Sequence, residues 1–427
     1  MREPVARRIV FALLGQIRDG RLTLVEGARR HEFGAGVPGA TIQVHSPALW
    51  PHLLHGGRGL AEAYAQGLWD SPDVTAVLRV AARNVNKLDA ARRRLTPVRE
   101  PYLRARQAFV RNTPRRSRKD IEAHYDLGDD LFERMLDPSM MYSCALFERP
   151  GMTLEQASMA KLELIYDKLD LQPTDHLLEI GTGWGSLALN AARSRGCRVT
   201  TTTISKDQHA TAVRRVREAG LEDRVTVLLE DYRDLTGTYD KLVSVEMIEA
   251  VGWKDFDTFF ARCSELLEPD GAMLLQAITM DDRAYRIERV SRSFIRTMIF
   301  PNGCLPSQEV IARCIAHDTD MRTVHMEDLT QHYAETLHRW RENLDAHADE
   351  LEAHGYDERF RRLWRMYLCY CEAGFAEHRI GLSQALFAKP QWRPESPARL
   401  PLRSVAAKPS SPVVDVTDRL VGSVPGA

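Results

Sequence analysis

The chain has 427 residues, of which 44% are hydrophobic and 27% are charged, and its formal net charge is -1. This balance indicates a globular protein, most simply two domains with appendages, and excludes a polyanion or a polycation. The seven cysteines form no CxxC pair and no metal-ligand spacing, and no apolar run reaches the length of a membrane span. The sequence therefore predicts a reduced, cytosolic protein without a metal site or a transmembrane helix.

Residues 1–85 are predicted to form a small N-terminal domain. The beginning of the chain indicates an amphipathic helix and not a signal peptide, because the apolar run at 9–14 is short and no small-residue cleavage site follows it. A strand is predicted at 40–45, and no catalytic pattern is present in this region.

The next segment, residues 86–119, is predicted to be a basic linker. Between positions 83 and 119 there are thirteen basic residues and two acidic residues. Such a segment can dock on anionic lipid head groups, where each nearby cation contributes about 1 kcal/mol, but on its own it fits a solvated linker at least as well. Nucleic acid is not expected as a partner, because no zinc finger, helix-turn-helix or RNA-binding signature accompanies the charge.

Residues 120–388 are predicted to form the larger domain. Strand patterns alternate with helix patterns up to about residue 280, which predicts an α/β fold with a doubly wound, parallel, Rossmann-like sheet. The strands are predicted at 177–180, 197–204, 224–230, 241–247 and 272–278. Residues 280–388 read as mainly helical, and the segment 389–427, rich in proline and serine, is predicted to be a disordered tail.

Glycines 181, 183 and 185 directly follow the first of these strands, and Glu179 precedes them by two positions. The spacing E-x-G-x-G-x-G differs from the G-x-G-x-x-G of dinucleotide folds. It resembles the first motif of class I methyltransferases that use S-adenosylmethionine (SAM), in which the acid lies near the ligand's amino group. The remaining predicted contacts with SAM are at the ends of the next two strands: Thr203, Ile204, Ser205, Gln208, Asp231 and Tyr232.

Five segments together resemble the cyclopropane-fatty-acid synthase family. They are residues 124–132, 140–147, 246–252, 299–306 and 333–337. The ordered match runs from about 118 to 388, and residues 1–85 suit the small N-terminal domain of longer bacterial members. The resemblance implies a SAM methyltransferase sheet with a helical acyl-binding cap.

The same resemblance implies the reaction and its residues. One carbon would pass from SAM to the cis double bond of an unsaturated phospholipid acyl chain, giving a cyclopropane ring or a methylene branch. A bound bicarbonate ion would act as the base, held by groups that match Cys144, Glu249, Tyr333 and Ile278. The family's histidine is replaced by Gln276, which can donate a hydrogen bond but cannot act as a base.

Further expectations follow from the family. Tyr142 and Ser143 are expected near the SAM carboxylate. The expected tunnel residues are Phe294, Ile295, Met298, Ile299, Phe300, Trp364, Met366, Tyr367 and Phe375. The enzyme would work at the inner face of an anionic membrane as a peripheral protein, as a homodimer joined through its N-terminal domain. A reductase partner that would turn a methylene branch into a methyl group cannot be read from this chain.

Two other hypotheses stay open at this point. The first is a SAM-dependent N-methyltransferase that acts on a soluble small molecule, as the coclaurine-type enzymes do. The second is a peripheral membrane protein whose methyltransferase fold has lost its activity, a hypothesis to which only Gln276 lends support.

Overall fold

The computed structural model describes residues 3–95, 128–291, 293–301 and 303–393, with the backbone alone for residues 89–95. The first part of the chain forms a four-stranded sheet flanked by helices. Its elements are α1 (Glu3–Leu14), β1 (Gly20–Glu26), β2 (Arg29–Ala35), β3 (Gly39–Val44), α2 (Leu49–Leu53), α3 (Gly57–Ala65), β4 (Trp69–Asp70) and α4 (Val74–Leu95).

This first sheet has the order β2-β1-β3-β4 and is mixed, since β1 and β3 are parallel and the other neighbours antiparallel. Ala6 and Val10, one helical turn apart on α1, are both buried and pack in the same cluster as Leu22, Leu24 and Ile42 of the sheet. The strand predicted at 40–45 corresponds to β3. Helix α4 continues through the predicted domain boundary at residue 85.

The remaining part of the chain is the larger α/β unit. Its elements are α5 (Asp129–Met135), α6 (Leu154–Leu169), β5 (His176–Ile180), α7 (Ser186–Ser194), β6 (Arg198–Thr202), α8 (Lys206–Glu218), β7 (Val225–Leu228), β8 (Tyr239–Val245), a 3₁₀ turn (Ile248–Ala250), α9 (Phe256–Glu265), β9 (Leu267–Met280), α10 (Asp282–Glu288), a π-helical turn (Ile295–Ile299), α11 (Gln308–Asp318), β10 (Arg322–Asp328), α12 (Thr330–Ala346), α13 (Ala348–Ala353), α14 (Glu358–Ala376) and β11 (Ile380–Ala388).

The second sheet has seven strands in the order β10-β11-β9-β8-β5-β6-β7. Strands β5 to β9 are parallel, which confirms the predicted doubly wound sheet, and they correspond to the five predicted strands. The expectation that residues 280–388 are mainly helical is wrong for β10 and β11, which add to the sheet in antiparallel orientation. Strand β11 is covered on both faces and carries the polar Ser383 and Gln384, so it lacks the alternation that marks a strand.

Helix α14 joins the two units. Arg362 donates to the carbonyl oxygens of Tyr64 at 2.7 Å and Trp69 at 3.0 Å and pairs with Asp70. Just beyond this helix, Glu377 pairs with arginines 79 and 83 of α4, at 2.7 and 2.6 Å. The N-terminal unit is therefore held against the cap by hydrogen bonds and ion pairs as well as by apolar packing.

Most of the basic segment lies outside the described residues, as does the tail from 394 onwards. Among the thirteen basic residues, Arg83 pairs with Glu377 and Lys87 with Asp19, at 2.6 and 2.9 Å. These two cations therefore serve contacts within the protein. Within the described ranges, no helix combines the length and the apolar character needed to cross a bilayer.

Candidate active site

A tight turn connects β5 to α7 at the carboxyl end of the parallel strands. Gly181 has a φ of +106°, and a Cβ at this position would lie 3.2 Å from the Met247 side chain. Gly183 has a φ of +53°, and a Cβ there would meet nothing within 4 Å, so its outer face is open to a ligand. The turn borders a cavity of about 1470 Å³ that runs beneath the cap.

Glu179 lies on β5 and faces the same cavity. Its Oε2 accepts a hydrogen bond from Thr201 Oγ1 at 2.6 Å, and burial raises the pKa of its carboxyl to about 8. A bound cationic group would favour the ionised carboxylate, because an opposite charge lowers the pKa of an acid. Glu179 and the open face of Gly183 therefore fit the amino end of SAM.

The ends of β6 and β7 border the cavity through Thr203, Ile204 and Asp231. Thr203 Oγ1 donates to Gln208 Oε1 at 2.8 Å, which fixes that amide beside the cavity. Tyr232 and Gln208 also border the cavity, whereas the carboxylate of Asp231 pairs with Arg233 at 2.6 Å.

Two predicted SAM contacts do not face the cavity. Ser205 is the N-cap of α8, where its Oγ accepts from the backbone N–H of Gln208 at 3.3 Å. Gly185 is the N-cap of α7, and a Cβ at this position would lie 3.2 Å from the Cβ of Ala212. Both positions shape helix ends, and their contact with SAM stays a prediction.

Tyr142 and Ser143 also border the cavity. The Tyr142 hydroxyl shares a hydrogen bond with the Tyr367 hydroxyl at 2.8 Å, and Ser143 Oγ accepts from Lys161 Nζ at 2.8 Å. Lys161 is 1% exposed, and burial lowers the pKa of its ammonium group to about 8. Sequence analysis missed this cation, although its position four residues after Ala157 and four before Ile165 places it on the buried face of α6.

A cluster of polar side chains lies at the end of β8, around Glu246. The Glu246 carboxylate accepts three hydrogen bonds: a short one from the Tyr333 hydroxyl, one from Gln276 Nε2 at 2.7 Å and one from the backbone N–H of Cys144 at 2.9 Å. Burial raises the pKa of Glu246, and the three donors, together with the charge of Lys161, oppose that shift. Glu246 has a φ of +51°, a left-handed conformation that is uncommon for a residue with a side chain.

A second carboxylate, Glu249, lies one turn further along. Its Oε1 accepts from the backbone N–H of Ile278 at 2.6 Å. Its Oε2 has no hydrogen-bond partner among the described residues. Burial and the neighbouring charge of Glu246 raise the pKa of Glu249 to about 8, so that this carboxyl carries a proton at neutral pH.

A chain of hydrogen bonds runs from Lys168 through the sheet to Glu246. Lys168 Nζ donates to Gln384 Oε1, Gln384 Nε2 donates to Gln276 Oε1, and Gln276 Nε2 donates to Glu246 Oε1, each at 2.7 Å. Because an ammonium group has no acceptor, it fixes which end of each amide points towards it. Gln276 therefore presents a donor to Glu246.

The thiol of Cys144 is not the part of this residue that reaches the cluster. Cys144 is 1% exposed, and its Sγ donates to the carbonyl oxygen of Ala145 at 3.2 Å. Burial and the nearby Glu246 raise the pKa of the thiol well above its usual value, so that it stays neutral. Its contribution to the cluster is the backbone N–H.

The residues present do not fit a bicarbonate ion. The donors expected to hold it are the Tyr333 hydroxyl, the Gln276 amide and the Ile278 N–H, and all three donate to carboxylates of the protein itself. A bicarbonate would also add a negative charge beside Glu246 and Glu249, and the charge of Glu246 already raises the proton affinity of Glu249.

The cap supplies apolar walls to the cavity. Five of the nine expected tunnel residues border it, and they are Phe294, Ile295, Phe300, Tyr367 and Phe375. The other four do not, since Ile299, Trp364 and Met366 are buried in the cap core and Met298 packs against that core. Helical apolar patterns do not separate residues that border a tunnel from residues beneath it, which explains these corrections.

A family model described as mycolic acid cyclopropane synthetase matches residues 112–385. The chain belongs to this family. It is 39% identical over 353 residues to a tuberculostearic acid methyltransferase of Mycobacterium tuberculosis, covering 80% of this chain and 82% of the relative. It is 37% identical over 357 residues to the cyclopropane-fatty-acyl-phospholipid synthase of Escherichia coli K12, covering 82% and 88% respectively.

A solved structure from the family supports the fold. A mycolic acid cyclopropane synthase complexed with S-adenosylhomocysteine (SAH) and CTAB superposes with a TM-score of 0.60 at 32% identity, covering 66% of this chain and 99% of that one. The protein is thus a methyltransferase of the cyclopropane synthase family with the expected Rossmann-like sheet.

Proposed function

We propose that this protein transfers one carbon from SAM to the cis double bond of an unsaturated phospholipid acyl chain, giving a cyclopropane ring or a methylene branch. The observation that carries the proposal is one continuous cavity. The glycine turn, Glu179, Glu246 and apolar side chains of the cap all border it.

When bound, SAM supplies an electrophilic methyl group. Glu179, Gly183 and the residues at the ends of β6 and β7 would hold it against the carboxyl edge of the sheet, where ligands bind in folds of this type. Tyr142 and Ser143, whose oxygen accepts from Lys161, also border the cavity and would limit the ligand's movement.

The cap suits an alkene acceptor. An alkene is a weak nucleophile, and methylation leaves a carbocation on the acyl chain that water would trap. Phe294, Phe300 and Phe375 present apolar surface to the cavity. The ring of Tyr333 stacks on that of Phe375 with centroids 4.4 Å apart, and aromatic faces stabilise a neighbouring positive charge.

The alternative of a soluble amine as acceptor is not favoured. The cavity walls beside the Glu246 cluster are mainly apolar and aromatic, and the relatives at 37–39% identity carry names that refer to fatty acids. We further propose that the protein works at an anionic membrane surface on its cytoplasmic side, with the basic residues that follow Lys87, up to residue 119, as the docking segment. A homodimer and a reductase that would act on a methylene-branched product also remain proposals.

The test is a mass-spectrometric assay with purified protein, isotope-labelled SAM and vesicles of a cis-monounsaturated phospholipid. We expect a labelled one-carbon gain on the acyl chain and none with saturated vesicles of the same head group. Ozonolysis then cleaves a methylene branch but leaves a ring intact. No gain, with SAM binding established by calorimetry, would contradict the proposal.

A further inference from the structure

We propose that the carboxylate of Glu246 is the base that removes the proton from the alkylated acyl chain, in the place where a bound bicarbonate was expected. This inference rests on the proposed function, since it names the proton acceptor of that reaction. It assigns a catalytic role to a residue that sequence analysis quoted within a motif without giving it a function.

The position of Glu246 is fixed from several directions. Its backbone N–H donates to the carbonyl oxygen of Gln276 at 2.8 Å, and its side chain receives the Tyr333, Gln276 and Cys144 donors. Its backbone is held in the left-handed region, a strained conformation that persists only where the surroundings impose it. The residue is half-buried, and it borders the cavity that holds the reaction.

The donors around Glu246 are those that the family resemblance assigns to bicarbonate. The Tyr333 hydroxyl and the side chain at position 276 both donate to Glu246. Bicarbonate and a glutamate side chain present the same carboxylate group to such donors. The carboxylate of Glu246 therefore takes the place that a bound bicarbonate would otherwise occupy between the Tyr333 hydroxyl and the Gln276 amide.

The neighbouring carboxyl is less suited to be the base. Glu249 receives only the Ile278 N–H, and its second oxygen has no partner among the described residues. Three donors stabilise the charged form of Glu246, so that the proton shared by this pair of acids resides on Glu249. Glu246 is thus the member of the pair that is ionised and able to accept a proton.

The proposed step balances as follows. The alkene attacks the methyl group, its π pair forms the new C–C bond, and the electron pair of the broken C–S bond stays on sulfur. A carbocation remains on the neighbouring carbon. Glu246 takes a proton from the added methyl group, and the freed C–H pair closes the ring or, after a 1,2-hydride shift, forms the methylene double bond. The proton leaves to water once the product is released.

The first experiment measures wild-type turnover in buffer depleted of carbon dioxide, with and without added sodium bicarbonate, after the one-carbon gain on lipid has been established. We expect a difference of less than about twofold. The variant Glu246→Gln should retain SAM binding by calorimetry and lose turnover by about 100-fold or more, the usual contribution of a general base. Its matched control is Glu288→Gln, another carboxylate that borders the cavity, which should keep wild-type turnover.

The second experiment tests chemical rescue, which a merely structural role would not produce. Glu246→Ala removes the carboxylate and leaves space beside the Tyr333 hydroxyl and the Gln276 amide, and added formate or bicarbonate should restore turnover by about 10-fold or more. Wild-type activity that requires bicarbonate would overturn the inference while leaving the proposed function intact. So would a Glu246→Gln variant that keeps more than about a tenth of the wild-type rate.

Discussion

The side-chain amides of Gln276 and Gln384 face each other from paired positions on β9 and β11, with Gln384 Nε2 donating to Gln276 Oε1 at 2.7 Å. Both residues are fully buried. Because Lys168 can only donate, its charge sets the direction of both amides and leaves a donor facing Glu246. A buried ammonium on α6 thus orients a hydrogen bond at the reaction centre through two intervening glutamine amides.

Reversing this chain of hydrogen bonds should reduce catalysis without removing a contact of Lys168. In Gln384→Glu, the new carboxylate still accepts from Lys168 but can no longer donate, so Gln276 turns over and presents its oxygen to Glu246. We expect turnover to fall by about tenfold or more with SAM affinity unchanged. Glu327→Gln is the control, because Lys168 remains a donor when its other acceptor loses its charge. Equal rates in the two variants would argue against the orienting role.

The protonated state of Glu249 predicts how stability depends on pH. Its pKa is raised to about 8 in the folded protein, so its contribution to stability is fully present below the unfolded-state pKa and is lost as the pH rises through about 8. Glu249→Gln mimics the protonated form and removes this dependence. Urea unfolding at pH 5 and pH 8.5 measures the free energy of unfolding of both proteins. The difference between the variant and the wild type should shift in favour of the variant by at least about 1 kcal/mol from pH 5 to pH 8.5. An identical pH dependence in both proteins would show that Glu249 is ionised in the fold.

The glycine turn gives a prediction about SAM binding. Gly181→Ala places a Cβ 3.2 Å from Met247 in a backbone conformation with φ +106°, whereas Gly237→Ala has a similar φ of +88° and meets nothing within 4 Å. Both variants should lose stability through backbone strain, by about 1–3 kcal/mol. Only Gly181→Ala should weaken SAM binding, by about tenfold or more in calorimetry, because the turn must shift. Similar affinities in the two variants would remove the turn from the binding site.

The contact between the units can be tested on two adjacent arginines of α14. Arg362→Ala removes the hydrogen bonds to Tyr64 and Trp69 and the ion pair with Asp70, whereas Arg361→Ala removes contacts with Tyr356 and Glu352 inside the larger unit. Calorimetric unfolding should show a midpoint lowered by at least about 3 °C in Arg362→Ala. In Arg362→Ala, the N-terminal unit should also unfold in a transition separate from that of the larger unit. In Arg361→Ala, the two units should still unfold together.

The backbone framework of the site could be predicted from the sequence. Strand patterns located the five parallel strands, and the glycine spacing marked the turn after β5, because both depend on local preferences for backbone conformation. The predicted residues Tyr333, Gln276 and Cys144 do meet in one cluster.

The sequence could not predict which groups of the cluster donate hydrogen bonds and which group accepts them. Glu246 was visible three positions before Glu249, but nothing in the sequence indicated that its carboxylate takes up the donors. Lys161 and Lys168 are both buried on α6, where a lysine normally lies on the surface, and only the packing of α6 against the sheet brings them to the cluster. Gln384 lies more than a hundred positions from Gln276, so only strand pairing joins them.

The direct hydrogen bond between Glu246 and Gln276 also constrains which substitutions these two positions can accept in evolution. Replacing the acid alone leaves an amide with no acceptor, and replacing the amide alone leaves a charge short of a donor, so each single substitution disrupts the pair. Substitutions at positions 246 and 276 should therefore co-vary among related sequences. In newly determined sequences of this family, an acid at the first position and glutamine at the second would then mark the enzymes that carry their own base.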